Sequence, residues 1–100
     1  MTKLVYFDAY GYAEPIRIAL TLAKVEFEDV RLQREDWPKY KDDHADELEF
    51  GQVPVLYHNG KQINQSASIL RYVGHVTGTY PTDPHTAWRV DSFIDAFRDL

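Results

Sequence analysis

Not one of the 100 residues is a cysteine. That absence excludes a disulfide-stapled scaffold, a thiolate-ligated zinc site and a dithiol redox centre. Nor does any apolar run approach the roughly 20 residues of a membrane-spanning helix. Positive charge is scarce: 11 Lys and Arg stand against 16 Asp and Glu, for a formal net charge of −5. That balance argues against a nucleic-acid partner, whose phosphates reward a basic face. The opening "MTKLVYFDAY" enters strand-like sequence at once, with no secretory apolar segment and no Arg-rich transit segment. No internal repeat or low-complexity tract appears. What is present is ordinary globular composition, 44% hydrophobic and 27% charged, of about one domain's length. A soluble cytoplasmic protein with no membrane and no nucleic-acid partner is expected.

Residues 3–7, "KLVYF", read as a strand. "AEPIRIALTLAK" reads as a helix with Pro15 in its first turn, where a missing N–H costs little. Its Ile16, Ala19, Leu20 and Ala23 recur at helical spacing as one buried stripe. "FEDVRL" is a second strand, and the charged stretch 34–49, broken by Pro38, is expected to be a surface loop with a short helix. A helix follows from about Ser66 to Val76, with Ile69, Val73 and Val76 inward and Gly78 as its stop. "TGTYPTDP" is the linker candidate. Beyond it Asp83 and Pro84 open a last helix whose stripe is Val90, Phe93, Ile94 and Phe97. That apolar face has no later element to meet, so the chain is expected to be truncated within a second domain. The four histidines, His44, His58, His75 and His85, lack ligand spacing and are expected at the surface.

Between the second strand and the helix at Ser66 lies "EFGQVPVLYHNGKQINQSASILRY". Asn59-Gly60 between two short strands signals a type I′ hairpin, which needs positive φ at both central residues. Pro54 obstructs the mouth of the first of these strands, since proline donates no ladder hydrogen bond. Directly after the second strand, Gln65-Ser66 starts a helix with polar side chains. Taken alone, Pro54 is an edge-strand proline and Ser66 a capping residue. The element order β-α-β, irregular connection, β-β-α combines a parallel pair with an antiparallel one. It is the order of the thioredoxin fold.

Three segments together, "KLVYFDAYGYAEPIR", "EDWPKYK" and "FGQVPVLYHNGKQINQSASILRYV", resemble the amino-terminal half of cytosolic glutathione transferases, closest to the sigma class. The resemblance implies an α/β, thioredoxin-like glutathione-binding domain over 1–76. A linker over 77–84 and the first helix of an all-α domain over 85–100 would follow. It implies a homodimer, with glutathione as co-substrate beside a small electrophile and no cofactor. In that setting Pro54 is cis, and Val53 presents its N–H and C=O ladder-fashion to the ligand's cysteinyl backbone. Gln65 and Ser66 receive the γ-glutamyl carboxylate at a helix amino terminus. Trp37, Lys41 and Gln52 reach the glycyl end; Trp37 and Lys41 alone would equally suit a solvated helix with one anchoring aromatic. Phe50 fits the plug between partner helices, or else a local loop anchor.

The catalytic hydroxyl implied by the resemblance is Tyr6, which standing alone would be a core aromatic. Sigma-like members carry arginines where this chain has Tyr10 and Tyr12, so support for the phenol by charge is missing, and Tyr12 is a secondary candidate for its role. Asp91, Asp95 and Asp99 line one face of the last helix. Asp99, or secondarily Asp95, matches the acid that crosses to the partner's ligand amine, though such a run also suits a solvated face. Arg98 takes a position where some relatives place a metal-binding acid, so no metal is expected. The activity implied is conjugation of glutathione to electrophiles, with isomerase or peroxidase side activity. The alternative is a crystallin-like structural or dimerisation module.

Overall fold

A computed structural model describes residues 1–98. Four strands form one sheet: β1 (Thr2–Phe7), β2 (Glu28–Leu32), β3 (Val55–His58) and β4 (Lys61–Asn64), in the order β2-β1-β3-β4. β1 runs parallel to β2 and antiparallel to β3, and β3 is antiparallel to β4. The β3–β4 turn has Asn59 at φ 50° and Gly60 at φ 83°, the positive pair a type I′ turn demands. This is the thioredoxin-like arrangement expected from the element order.

The period-two pattern of β1 sorts its side chains to opposite faces. Leu4 turns toward α1 (Glu14–Leu22) and α3 (Ser66–Val76), where Ile16, Leu20, Leu56, Ile69 and Val73 complete a buried cluster. Val5 turns to the other face, joining Leu32, Leu48 and Val55 beneath α2 (Trp37–Asp43). Each fully buried Leu, Ile or Val contributes about 1.5–3 kcal/mol relative to exposure. Two local expectations are corrected. Pro38 lies in the first turn of α2 and opens a helix rather than breaking one. Val76 is half exposed, because the following connection seats Tyr80 on Gly74 instead. Nor are all four histidines surface residues. His44 is half-buried and stacks on Tyr40, and His58 is half-buried with Nδ1 2.9 Å from the Thr2 hydroxyl.

The last helix, α4 (Pro84–Arg98), is capped by Asp83, whose carboxylate accepts from the Thr86 N–H at 2.9 Å. Val90 and Ile94 are half-buried, whereas Trp88, Phe93 and Phe97 stay exposed. A polar latch holds the helix to α3. Arg71 donates to Asp91 at 2.9 Å and to Asp95 at 3.1 Å, and the Tyr80 hydroxyl donates to Asp91 at 2.7 Å. Asp91 is held below the usual carboxylate range, chiefly by the Arg71 hydrogen bond. Among the described residues no helix is long and apolar enough to cross a membrane.

Candidate active site

Tyr6 is the penultimate residue of β1, with its ring packed against the α1/α3 core and its outer edge on a cavity. The loop that follows folds back over this ring. Gly11, at φ +44°, comes so close that a β-carbon there would lie 2.5 Å from the Tyr6 hydroxyl oxygen. Only glycine adopts that backbone while leaving room for the phenol. Arg17, 5% exposed on α1, holds the loop in place. It donates to the carbonyls of Ala9 at 2.6 Å and Phe7 at 3.2 Å, and to the carboxylates of Asp29 at 3.1 Å and Glu14 at 3.2 Å. Its guanidinium carbon sits 5.9 Å from the Tyr6 ring centre, within cation–π range.

Opposite the phenol, the Val53-Pro54 peptide is cis and buries Pro54 beneath the cavity floor. Val53 precedes the β3 ladder. Among the described residues its N–H and C=O have no backbone partner, so both are open to pairing from outside the chain. α3 begins at Ser66 on the same cavity, with Gln65 as its N-cap and no side-chain cap bond. Its first N–H groups are therefore unsatisfied, an anion-binding geometry. Gln65 sits at φ 73°, ψ 122°, strained for a residue with a β-carbon. Its side-chain amide donates to the Gln52 carbonyl at 3.1 Å, joining the two walls.

Trp37 closes the third side, edge-on to Phe7 with ring centres 5.7 Å apart. Lys41 lies just outside, its Cε 3.3 Å from where a β-carbon on Gly51 would stand. Behind Trp37, Tyr40 and Tyr57 share a 3.2 Å hydroxyl contact, and Tyr57 donates to Glu47 at 2.6 Å. Burial, reinforced by the Glu47 hydrogen bond, pushes the Tyr57 phenol well above its ordinary value; burial likewise raises Tyr40. Both phenols stay protonated and pin α2 to the sheet.

α4 contributes Arg98, whose guanidinium carbon lies 5.9 Å from the Tyr12 ring centre and which lines the same cavity as Tyr6 and Ser66. The cavity holds about 360 Å³, within the usual range for a small-molecule site. Of the residues singled out from sequence, Tyr6, Tyr12, Trp37, Gln52, Val53, Pro54, Gln65 and Ser66 converge on it. Asp95 is turned to Arg71 instead, Phe50 stands 57% exposed away from the cavity wall, and Asp99 lies outside the described residues. Gly11, Arg17 and Arg98 were not assigned roles in this site from sequence. Gly11 and Arg17 lie inside the quoted "KLVYFDAYGYAEPIR", and an arginine directly beside the apolar stripe, after Ile16, was the available signal.

Sheet order, the proline at the mouth of β3 and the cavity beside it define a thioredoxin-like domain. Residues 2–75 match the family model described as "Glutathione S-transferase, N-terminal domain". Glutathione S-transferase 1 of Ascaris suum is 43% identical over 98 residues, covering 98% of this chain and 46% of that protein. A Nu-class glutathione S-transferase from Haemonchus contortus superposes with a TM-score of 0.85 at 43% identity, covering 98% of this chain and 46% of that one. A monomeric glutathione S-transferase from the hookworm Necator americanus gives the same TM-score, 0.85, at 43% identity, with 98% and 46% covered. The chain belongs to the glutathione S-transferase family. It spans about half the length of the relatives it matches.

Proposed function

We propose that the chain carries the glutathione-binding half of a cytoplasmic, tyrosine-type, sigma-like glutathione transferase. Residues 1–76 would be the binding domain, 77–84 the linker and 85–100 the start of the helical domain. The observation that carries this reading is one cavity walled by the Tyr6 phenol, the Val53 main chain and the α3 amino terminus. A bound tripeptide would pair its cysteinyl backbone with Val53 and its γ-glutamyl carboxylate with the N–H groups at Ser66. Its glycyl end would lie toward Trp37, Gln52 and Lys41. The thiol then faces Tyr6.

A free thiol titrates near about 8.5, so few molecules are ionised at neutral pH. Lowering that by ~2 units takes about 2.7 kcal/mol of preference for the thiolate. One hydrogen bond to a charged group supplies roughly 1.5–3 kcal/mol. The Tyr6 hydroxyl, donating to sulfur, therefore meets most of the requirement. The thiolate's electron pair forms the C–S bond as the electrophile's leaving group departs with its own pair. The reaction draws on glutathione alone as co-substrate, with no further cofactor. Phe50, exposed and apolar, would anchor a homodimer, and Asp99 would cross that interface.

Tyr6→Phe tests the assignment: turnover should fall by ~10²-fold while glutathione affinity hardly changes, because the hydroxyl acts on the ionised state. Equal loss of both would remove Tyr6 from the role. The phenols at positions 10 and 12, in place of arginine, favour a second reading, a non-catalytic structural or dimerisation module. Titration calorimetry with glutathione and ultraviolet detection of bound thiolate separate the two. Binding without ionisation supports the module.

A further inference from the structure

We propose that the cavity formed by Tyr6, Tyr10, Gly11, Tyr12, Glu14 and Phe97 selects electrophiles by charge. It takes flat uncharged or cationic conjugated compounds and refuses carboxylates and sulfonates. The proposal rests on the transferase reading and specifies its second substrate. This open cavity of about 640 Å³ shares Tyr6 and Tyr12 with the glutathione cavity. A molecule within it lies beside the sulfur position.

Four aromatic rings line it, and a ring face carries partial negative charge that attracts cations and repels anions. The wall has a single ionised group, the Glu14 carboxylate. Its counter-ion lies behind it: Arg17 is buried and spends its donors on the Phe7 and Ala9 carbonyls and on Asp29 as well. Among the described residues no Lys, Arg or His lines the cavity, and Arg98 covers the Tyr12 ring from the neighbouring one. An anion entering here gives up water and finds no positive charge in the wall, the Arg98 guanidinium lying 5.9 Å from the Tyr12 ring centre in the neighbouring cavity. A neutral acceptor fares better. The Tyr6 and Tyr10 hydroxyls have no hydrogen-bond partner among the described residues, and Tyr12 reaches only the Arg98 carbonyl at 3.5 Å. Those donors suit the nitro or carbonyl oxygens of an activated aromatic ring. With an aryl chloride, the thiolate pair forms the C–S bond and chloride leaves with the C–Cl pair, so nothing further is consumed.

The test uses the full chain and two flat bicyclic probes, N-methylquinolinium and naphthalenesulfonate, titrated without glutathione so that its charge plays no part. The cation should bind about tenfold more tightly, and the double variant Tyr10→Arg/Tyr12→Arg should erase or reverse the preference. Equal or tighter binding of the sulfonate by the native chain overturns the proposal. So does a double variant that folds, by its circular dichroism, and keeps the native ratio. A second arm compares a chloronitrobenzoate with its methyl ester, each rate taken relative to the uncatalysed reaction. The ester should be favoured by about tenfold or more. Probe selectivity without conjugation of either chloride sinks the transferase reading and leaves the cavity's preference standing. Equal conjugation of both does the reverse.

Discussion

Gly11→Ala is the most informative single change. At φ +44° a side chain costs about 1–2 kcal/mol of backbone energy. The new β-carbon would also lie 2.5 Å from the Tyr6 Oη, 2.9 Å from its Cε2 and 3.0 Å from its Cζ. Non-bonded contacts relax at about 3.5 Å, so the phenol must retreat by about 1 Å. A rigid ring cannot bend away; it must swing as a whole. A displacement of that size at a reacting centre lowers turnover by ~10²-fold. The titration of bound glutathione, followed by thiolate absorbance, should move back toward the free-thiol value of about 8.5. Gly78→Ala is the matched control, with φ +75° and nothing within 4 Å of its added carbon. It should lower Tm by about 4–8 °C per kcal/mol of strain and leave the thiolate alone. If Gly11→Ala merely imitates Gly78→Ala, with the bound thiol titrating as in the native protein, the phenol is not the sulfur's partner.

Arg17→Met should cost about 3 kcal/mol in urea denaturation, since it strands two carbonyls and Asp29 around a buried site. A loss below about 1 kcal/mol would mean that water takes over those bonds. Gln65→Gly should raise Tm, by relief of about 1 kcal/mol at φ 73°, while weakening glutathione binding measured by calorimetry; a lower Tm would contradict the strain. The folded-state pKa of Asp91 lies below its ordinary 3.8, so its stabilising contribution is complete above that pH and drains away as acid brings the pH beneath it. Asp91→Asn should flatten the acid limb of the Tm–pH curve, and parallel limbs in the two proteins would refute the latch.

Local chemistry made much of this legible. Asn59-Gly60 specifies its turn through backbone sterics alone, and Pro54 and Gln65-Ser66 mark a strand mouth and a helix start within a few residues. Long-range contacts were not. The partners of Arg17 come from positions 7, 9, 14 and 29, which no periodicity brings together. Asp91 and Asp95 read as a solvated or ligand-bearing face until α3 supplies Arg71. Pro38 was ambiguous for another reason. A proline breaks a helix or begins one with the same ring, and the edge-on packing of Trp37 against Phe7 selects the second outcome.

The Arg71 latch has an evolutionary corollary. Because α4 brings Phe97 and Arg98 to the cavities while being tethered to the body through Arg71 and Tyr80, one wall can be re-aimed from a distance. Substitutions at the tether would tilt that wall while Tyr6, Val53 and Ser66 stay untouched. New substrate ranges could arise in such lineages while the peptide grip is inherited intact.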